Sequence, residues 1–96
     1  MKKEIDISQF ITVNTLQKTQ NDLVERIKQR RKEMKLSQRE LAEKSGVGYS
    51  TIRRFETNGD IMLSSLLKIA LALGCLDEFG TLFNKRVIRN LKDFEE

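Results

Sequence analysis

The chain has 96 residues, a formal net charge of +4, and 39% hydrophobic and 33% charged side chains, which allows one modest core and is too charged for a membrane span. It holds no histidine and a single cysteine, Cys75, so internal disulfides, cysteine-rich zinc sites and triads built on histidine are excluded and an enzyme would have little to work with. The basic balance suits a polyanionic partner, and the opening Met1-Lys2-Lys3-Glu4 lacks the apolar run of a secretion signal, so a soluble cytoplasmic protein without cofactor or metal is expected.

There is no proline, and from Leu23 to Phe83 apolar residues recur at helical spacing between short polar breaks, which predicts an all-α domain over residues 21–84. Ahead of it, residues 1–20 contain Ile5-Asp6-Ile7 and Phe10-Ile11-Thr12-Val13, β-branched and apolar residues that read as a short extended N-terminal arm, the preferred reading, or as an extra turn of helix from Asn14 onward. Thr19 or Asn21 is expected to cap a first helix with Leu23, Ile27 and Met34 as its inward stripe, ending near Met34-Lys35. Ser37-Gln38-Arg39-Glu40 has the spacing of a capping box, so a second, short helix carries Leu41 and Ala42 inward and stops at Gly46.

After Gly46-Val47-Gly48 a third helix is expected from Tyr49 to about Glu56, with Ile52 and Phe55 on one side and Ser50, Arg53 and Arg54 elsewhere. Thr57-Asn58-Gly59-Asp60 ends it. Leu63, Leu66, Leu67, Ala70 and Leu73 form the most apolar helix, closed by Gly74, and Asp77 opens a last short helix with Phe79, Leu82 and Phe83 inward. Cys75 reads as a small core hydrophobe. The tail, residues 85–96, places Val87, Ile88, Leu91 and Phe94 at helical spacing among charges, the pattern of a loose amphipathic helix or a frayed end.

The segment Gln38 to Glu56 resembles the helix-turn-helix of the phage Cro and repressor family, the XRE family. Leu41-Ala42, Gly46-Val47, Ile52 and Phe55-Glu56 stand where that motif wants them, and Leu36-Ser37-Gln38-Arg39-Glu40-Leu41-Ala42 and Leu66-Leu67-Lys68-Ile69-Ala70-Leu71-Ala72-Leu73-Gly74 are also similar to it. The resemblance covers Leu23 to Phe83 and implies a compact five-helix repressor-like domain. Two positions depart from the family pattern: Lys35 stands where a glycine commonly ends the first helix, and Met62 where a Ser or Thr commonly caps the fourth.

The resemblance also implies a site. The third helix would enter the major groove with Tyr49, Ser50 and Arg54 at base edges, while the second lies across the backbone. Gln38, the backbone at Gly48 and the side chain of Arg53 would contact phosphates, and Arg31 with Glu56 would form a structural ion pair that orients the recognition helix. The expected function is sequence-specific transcriptional regulation, most simply repression by a homodimer on double-stranded operator DNA. One alternative is an antitoxin that binds a toxin protein and represses its own operon. Another, of a different class, is a protein-interaction module that no longer touches DNA. The glycines of Gly46-Val47-Gly48 are not a nucleotide loop, because no third glycine or Lys-Ser/Thr follows.

Overall fold

A computed structural model describes residues 2–87, with side chains from residue 15 onward. These residues are all-α: helices α1 (Lys2–Glu33), α2 (Gln38–Ser45), α3 (Tyr49–Asn58) and α4 (Leu63–Ala72), then a 3-10 helix, Leu76–Thr81. Five helical segments were expected and five are present. Helix α2 packs against both α3 and α4, α1 packs against α3, and the 3-10 helix packs against α4. Their shared core is built from Val24, Ile27, Leu41, Val47, Ile52, Phe55, Leu66, Ile69, Ala70, Leu73 and Cys75.

The N-terminal arm is not extended. One helix runs through residues 2–20 and into the domain without a break, since neither glycine nor proline interrupts it and each β-branched residue costs a helix only a few tenths of a kcal/mol. The two proposed caps are therefore ordinary helical positions. The Thr19 hydroxyl donates to the Thr15 carbonyl at 2.8 Å, and the Asn21 side-chain oxygen accepts from Gln17 Nε2 at 3.1 Å. Gln20, assigned by the sequence reading to the arm, reaches the end of α3 and donates from Nε2 to the Gly59 carbonyl at 3.1 Å.

The buried stripe of α1 keeps Ile27 but otherwise differs from the expected one. Val24, Ile27 and Arg31 face the core, whereas Leu23 and Met34 are exposed. An arginine in the core-facing register breaks the apolar pattern on which such a reading depends. In α4 the inward residues are Leu66, Ile69 and Ala70 with Leu73 behind them, while Leu63 is exposed. The last segment winds as a short 3-10 helix that ends at Thr81, and of the three residues expected inward only Phe79 packs against the core. Leu82 follows in an extended conformation and Phe83 at φ 59°, and both are exposed, contrary to the inward placement expected for them. Phe79 and Leu82, with Leu23, Ile27 and Cys75, line a shallow groove of about 380 Å³ between α1 and the 3-10 helix. Of the tail expected to be amphipathic, Val87 is exposed, and Ile88, Leu91 and Phe94 lie outside the described residues.

Helix ends follow the local chemistry closely. Ser37 caps α2 in a complete capping box: its Oγ accepts from the Glu40 amide at 3.0 Å, and the Ser37 amide donates to Glu40 Oε1 at 2.8 Å. At the end of α1, the Lys35 amide donates to the Lys32 carbonyl at 2.9 Å and the Leu36 amide to the Arg31 carbonyl at 3.2 Å, the paired bonds of a Schellman ending. That ending requires a left-handed residue, and Lys35 occupies it at φ 59°. The departure from a glycine thus carries a conformational cost. Lys35→Gly is expected to stabilise the fold by about 0.5–1 kcal/mol after the greater freedom of glycine in the unfolded chain is offset. A thermal or denaturant melt checks this; a lower midpoint in the glycine variant would show that the lysine side chain makes up for its backbone. Met62, the second departure, begins α4 with no side-chain cap.

Candidate nucleic-acid interface

The site grows from the angle between α2 and α3. Gly46 ends α2 at φ 77° and donates its amide to the Ala42 carbonyl at 2.9 Å; a residue with a Cβ would be strained in that conformation. Val47 then turns into the core, and α3 begins after Gly48. Leu41 from α2 and Ile52 and Phe55 from α3 are buried where the two helices meet, with Ala42 half-buried beside them. A helix pair held by such a wedge has one crossing geometry, because core volumes tolerate little repacking.

Polar groups tie this pair to α1. Arg31 Nε donates to Glu56 Oε2 at 2.8 Å and Nη2 donates to Oε1 at 3.0 Å, a two-point contact in which both side chains are almost completely shielded. Arg31 Nη1 also donates to the Leu36 carbonyl at 2.8 Å, and Gln38 Nε2 donates to Glu56 Oε1 at 2.8 Å. Side chains of α1 and α2 therefore converge on one carboxylate of α3, while Arg31 also holds the loop after α1. Both oxygens of that carboxylate are bonded, and no buried side-chain polar atom among the described residues lacks a partner, as a buried charge requires.

On the other side of α3, Ser50, Arg53 and Arg54 are exposed, and neither arginine has an acidic partner among the described residues. Tyr49, the first residue of α3, is half-buried under a cation. The guanidinium carbon of Arg39 lies 4.1 Å from the centre of its ring, and that of Arg53 lies 5.6 Å from the same point. A charge network beneath and a cationic face above thus belong to the same helix. A helix-turn-helix family model matches residues 27–78, more than half of the chain. The chain belongs to the XRE-type helix-turn-helix family. No curated protein and no solved structure matches it.

This helix-turn-helix protein is accordingly a DNA-binding regulator of the XRE type, from a family whose domain binds DNA and is not enzymatic. No helix among its described residues is long and apolar enough to cross a membrane, and no group of acidic or cysteine side chains among them could hold a metal ion. Of the residues singled out from the sequence, Tyr49, Ser50, Arg53 and Arg54 lie on α3, and Gln38 opens α2. Gly48 precedes α3 at φ −58°, a conformation open to any residue, and a Cβ built there would meet only Thr51 Oγ1 at 3.7 Å. Its own fold does not need a glycine at that point. The start of α3 has no side-chain cap, which leaves amides of its first turn without an intrahelical acceptor.

Sequence reasoning missed one residue of this region, Arg39, and one role of another, Gln38. Arg39 was read only as part of the family phrase, yet it covers Tyr49. Gln38 was read as a phosphate contact, and its side chain in addition secures Glu56. No periodicity links Arg39 to Tyr49 or Gln38 to Glu56, since the partners sit on different helices. Cys75 is buried as expected of a core hydrophobe; burial pushes its thiol pKa up, Arg30 opposes the shift, and Glu78 and Asp77 add to it.

Proposed function

We propose that this helix-turn-helix protein represses transcription by binding operator DNA as a homodimer, with α3 in the major groove of each half-site. Tyr49, Ser50 and Arg54 meet base edges: the tyrosine through its ring edge or hydroxyl, the serine with either kind of edge, and Arg54 with guanine O6 and N7 through two bonds. Gln38, the backbone at Gly48 and Arg53 anchor phosphates, Gln38 using the second amide N–H that Glu56 leaves free. The observation that carries the reading is the exposed pair Arg53 and Arg54, without acidic partners, on a helix whose opposite side is clamped by Arg31, Glu56 and Gln38. A helix kept only for protein contacts would have no use for two uncompensated cations at that face.

Support for the dimer comes from apolar surface at the C-terminal end of the domain. Leu71, Leu82 and Phe83 are all exposed there, and burying such side chains against a second copy would be favourable. A two-fold dimer would set two recognition helices about one turn of DNA apart, ~34 Å. Selection from a random pool of double-stranded DNA tests the proposal directly. Enrichment of an inverted repeat with half-sites about one turn apart is expected. Enrichment of single, unrepeated sites would remove the dimer, and a pool unchanged after several rounds would remove operator binding itself.

A further inference from the structure

We propose that Arg39 is a phosphate contact of α2 and that Tyr49 is its positioning residue, an inference that rests on the DNA-binding reading above and adds to it a cation which that reading leaves out. Arg39 is the second residue of α2 and is exposed, yet its guanidinium is not loose in solvent. It sits 4.1 Å from the centre of the Tyr49 ring, well inside the ~6 Å over which a ring face attracts a cation. Two carboxylates are close in sequence and neither takes it. Glu43, one helical turn on, forms no ion pair with it, and Glu40 is committed to the Ser37 amide of the capping box.

The choice of the ring over Glu43 has a chemical consequence. A carboxylate would occupy the N–H donors of the guanidinium, whereas an aromatic face engages its charge and leaves the in-plane donors unspent. Arg39 is thus held in place by one partner and keeps its hydrogen-bonding edge for another. An oxyanion suits that edge, and a phosphate is matched by two parallel N–H bonds. The position selects the source of the phosphate. In a helix-turn-helix the first helix of the motif crosses the DNA backbone while the second enters the groove, and Arg39 lies on the first, directly over the opening residue of the second. Arg53 approaches the same ring to 5.6 Å, so one aromatic ring organises cations from both helices. Holding Arg39 before DNA arrives also reduces the side-chain freedom that binding would otherwise remove.

The test measures binding of the full chain to a fluorescent duplex of about 30 base pairs, at several salt concentrations between about 50 and 300 mM. Arg39→Ala is expected to weaken binding roughly fivefold to tenfold at 0.1 M salt, alike on selected and unrelated sequences, and to lower the slope of log K against log salt by about 0.9 for each half-site. Tyr49→Leu removes the ring. It should reproduce part of that loss, and adding Arg39→Ala to it should cost clearly less than Arg39→Ala costs alone. Tyr49→Phe keeps the ring and the full Arg39 effect, whatever it does to base preference.

A wild-type salt slope in Arg39→Ala would overturn the phosphate role while leaving the proposed function standing. Fully additive losses would overturn the positioning role of Tyr49. Absence of duplex binding by the wild-type chain would overturn the proposed function first, and so is told apart from both. Should Tyr49→Leu fail to fold in a melt, the NMR spectrum of the wild-type protein decides: δ-methylene protons of Arg39 over a ring are shifted upfield, and ordinary shifts there would overturn the contact.

Discussion

Glu56→Ala is expected to lower the stability of the domain by about 3–5 kcal/mol, because it leaves the guanidinium of Arg31 buried without its counter-charge. For a domain of this size that corresponds to a fall in melting temperature of roughly 12–40 °C. The magnitude follows from the shielding: the relative exposures of the two side chains are 9% and 3%, so solvent cannot replace the lost carboxylate. Arg31→Ala should cost a comparable amount for the mirror-image reason. Replacing both by methionine should cost much less than either single change, since breaking a buried pair from one side leaves an uncompensated charge and removing both does not. Thermal melts at matched salt check this. Single variants that melt with the wild type would mean that water reaches the pair, and a double variant as unstable as the singles would assign the loss to packing.

Arg54→Ala is expected to cost about 1–3 kcal/mol per half-site on the selected operator and to relax the preference at a single base pair. The reason is geometric. Arg54 is exposed on α3 with no acidic partner among the described residues, so both of its parallel N–H bonds are available to a guanine edge, which no other base pair presents in the same way. Because the side chain bears on no core residue, melting behaviour should not change. Binding to the operator, to point-substituted operators and to unrelated DNA separates the possibilities. A uniform loss on all of them would make Arg54 a phosphate anchor, and equal affinity for the operator in variant and wild type would remove it from the interface.

These two variants also separate orientation from readout. Glu56 is on the same helix as Arg54, two residues further along, yet it points into the domain while Arg54 points out. Loss of the first should lower stability without altering base preference among molecules that remain folded, and loss of the second should do the reverse.

Local chemistry made much of this legible in the sequence. The capping box at Ser37 and Glu40, the left-handed endings at Gly46 and Gly74, and the short second helix depend on residues within a turn of one another, and such interactions are specified by spacing alone. The helix-turn-helix itself was readable because small, turn and core residues at Ala42, Gly46, Val47, Ile52 and Phe55 agree over a whole supersecondary unit. What stayed hidden was decided between elements. The apolar and β-branched residues of 2–20 favour strand and helix almost equally, and continuity with a helix already nucleated downstream resolves the choice. Val24 in place of Leu23 faces the core because Arg31, about two turns further along the same face, is drawn inward by Glu56. The ring of Tyr49 lies under Arg39 for the same kind of reason: a cation and an aromatic face ten residues apart meet only after α2 and α3 have packed. Sequence spacing determines contacts within one turn of backbone, whereas the buried charge network and the cationic surface above it exist only once three helices share a core, because their partners are set by three-dimensional distance and by the free energy of removing charge from water.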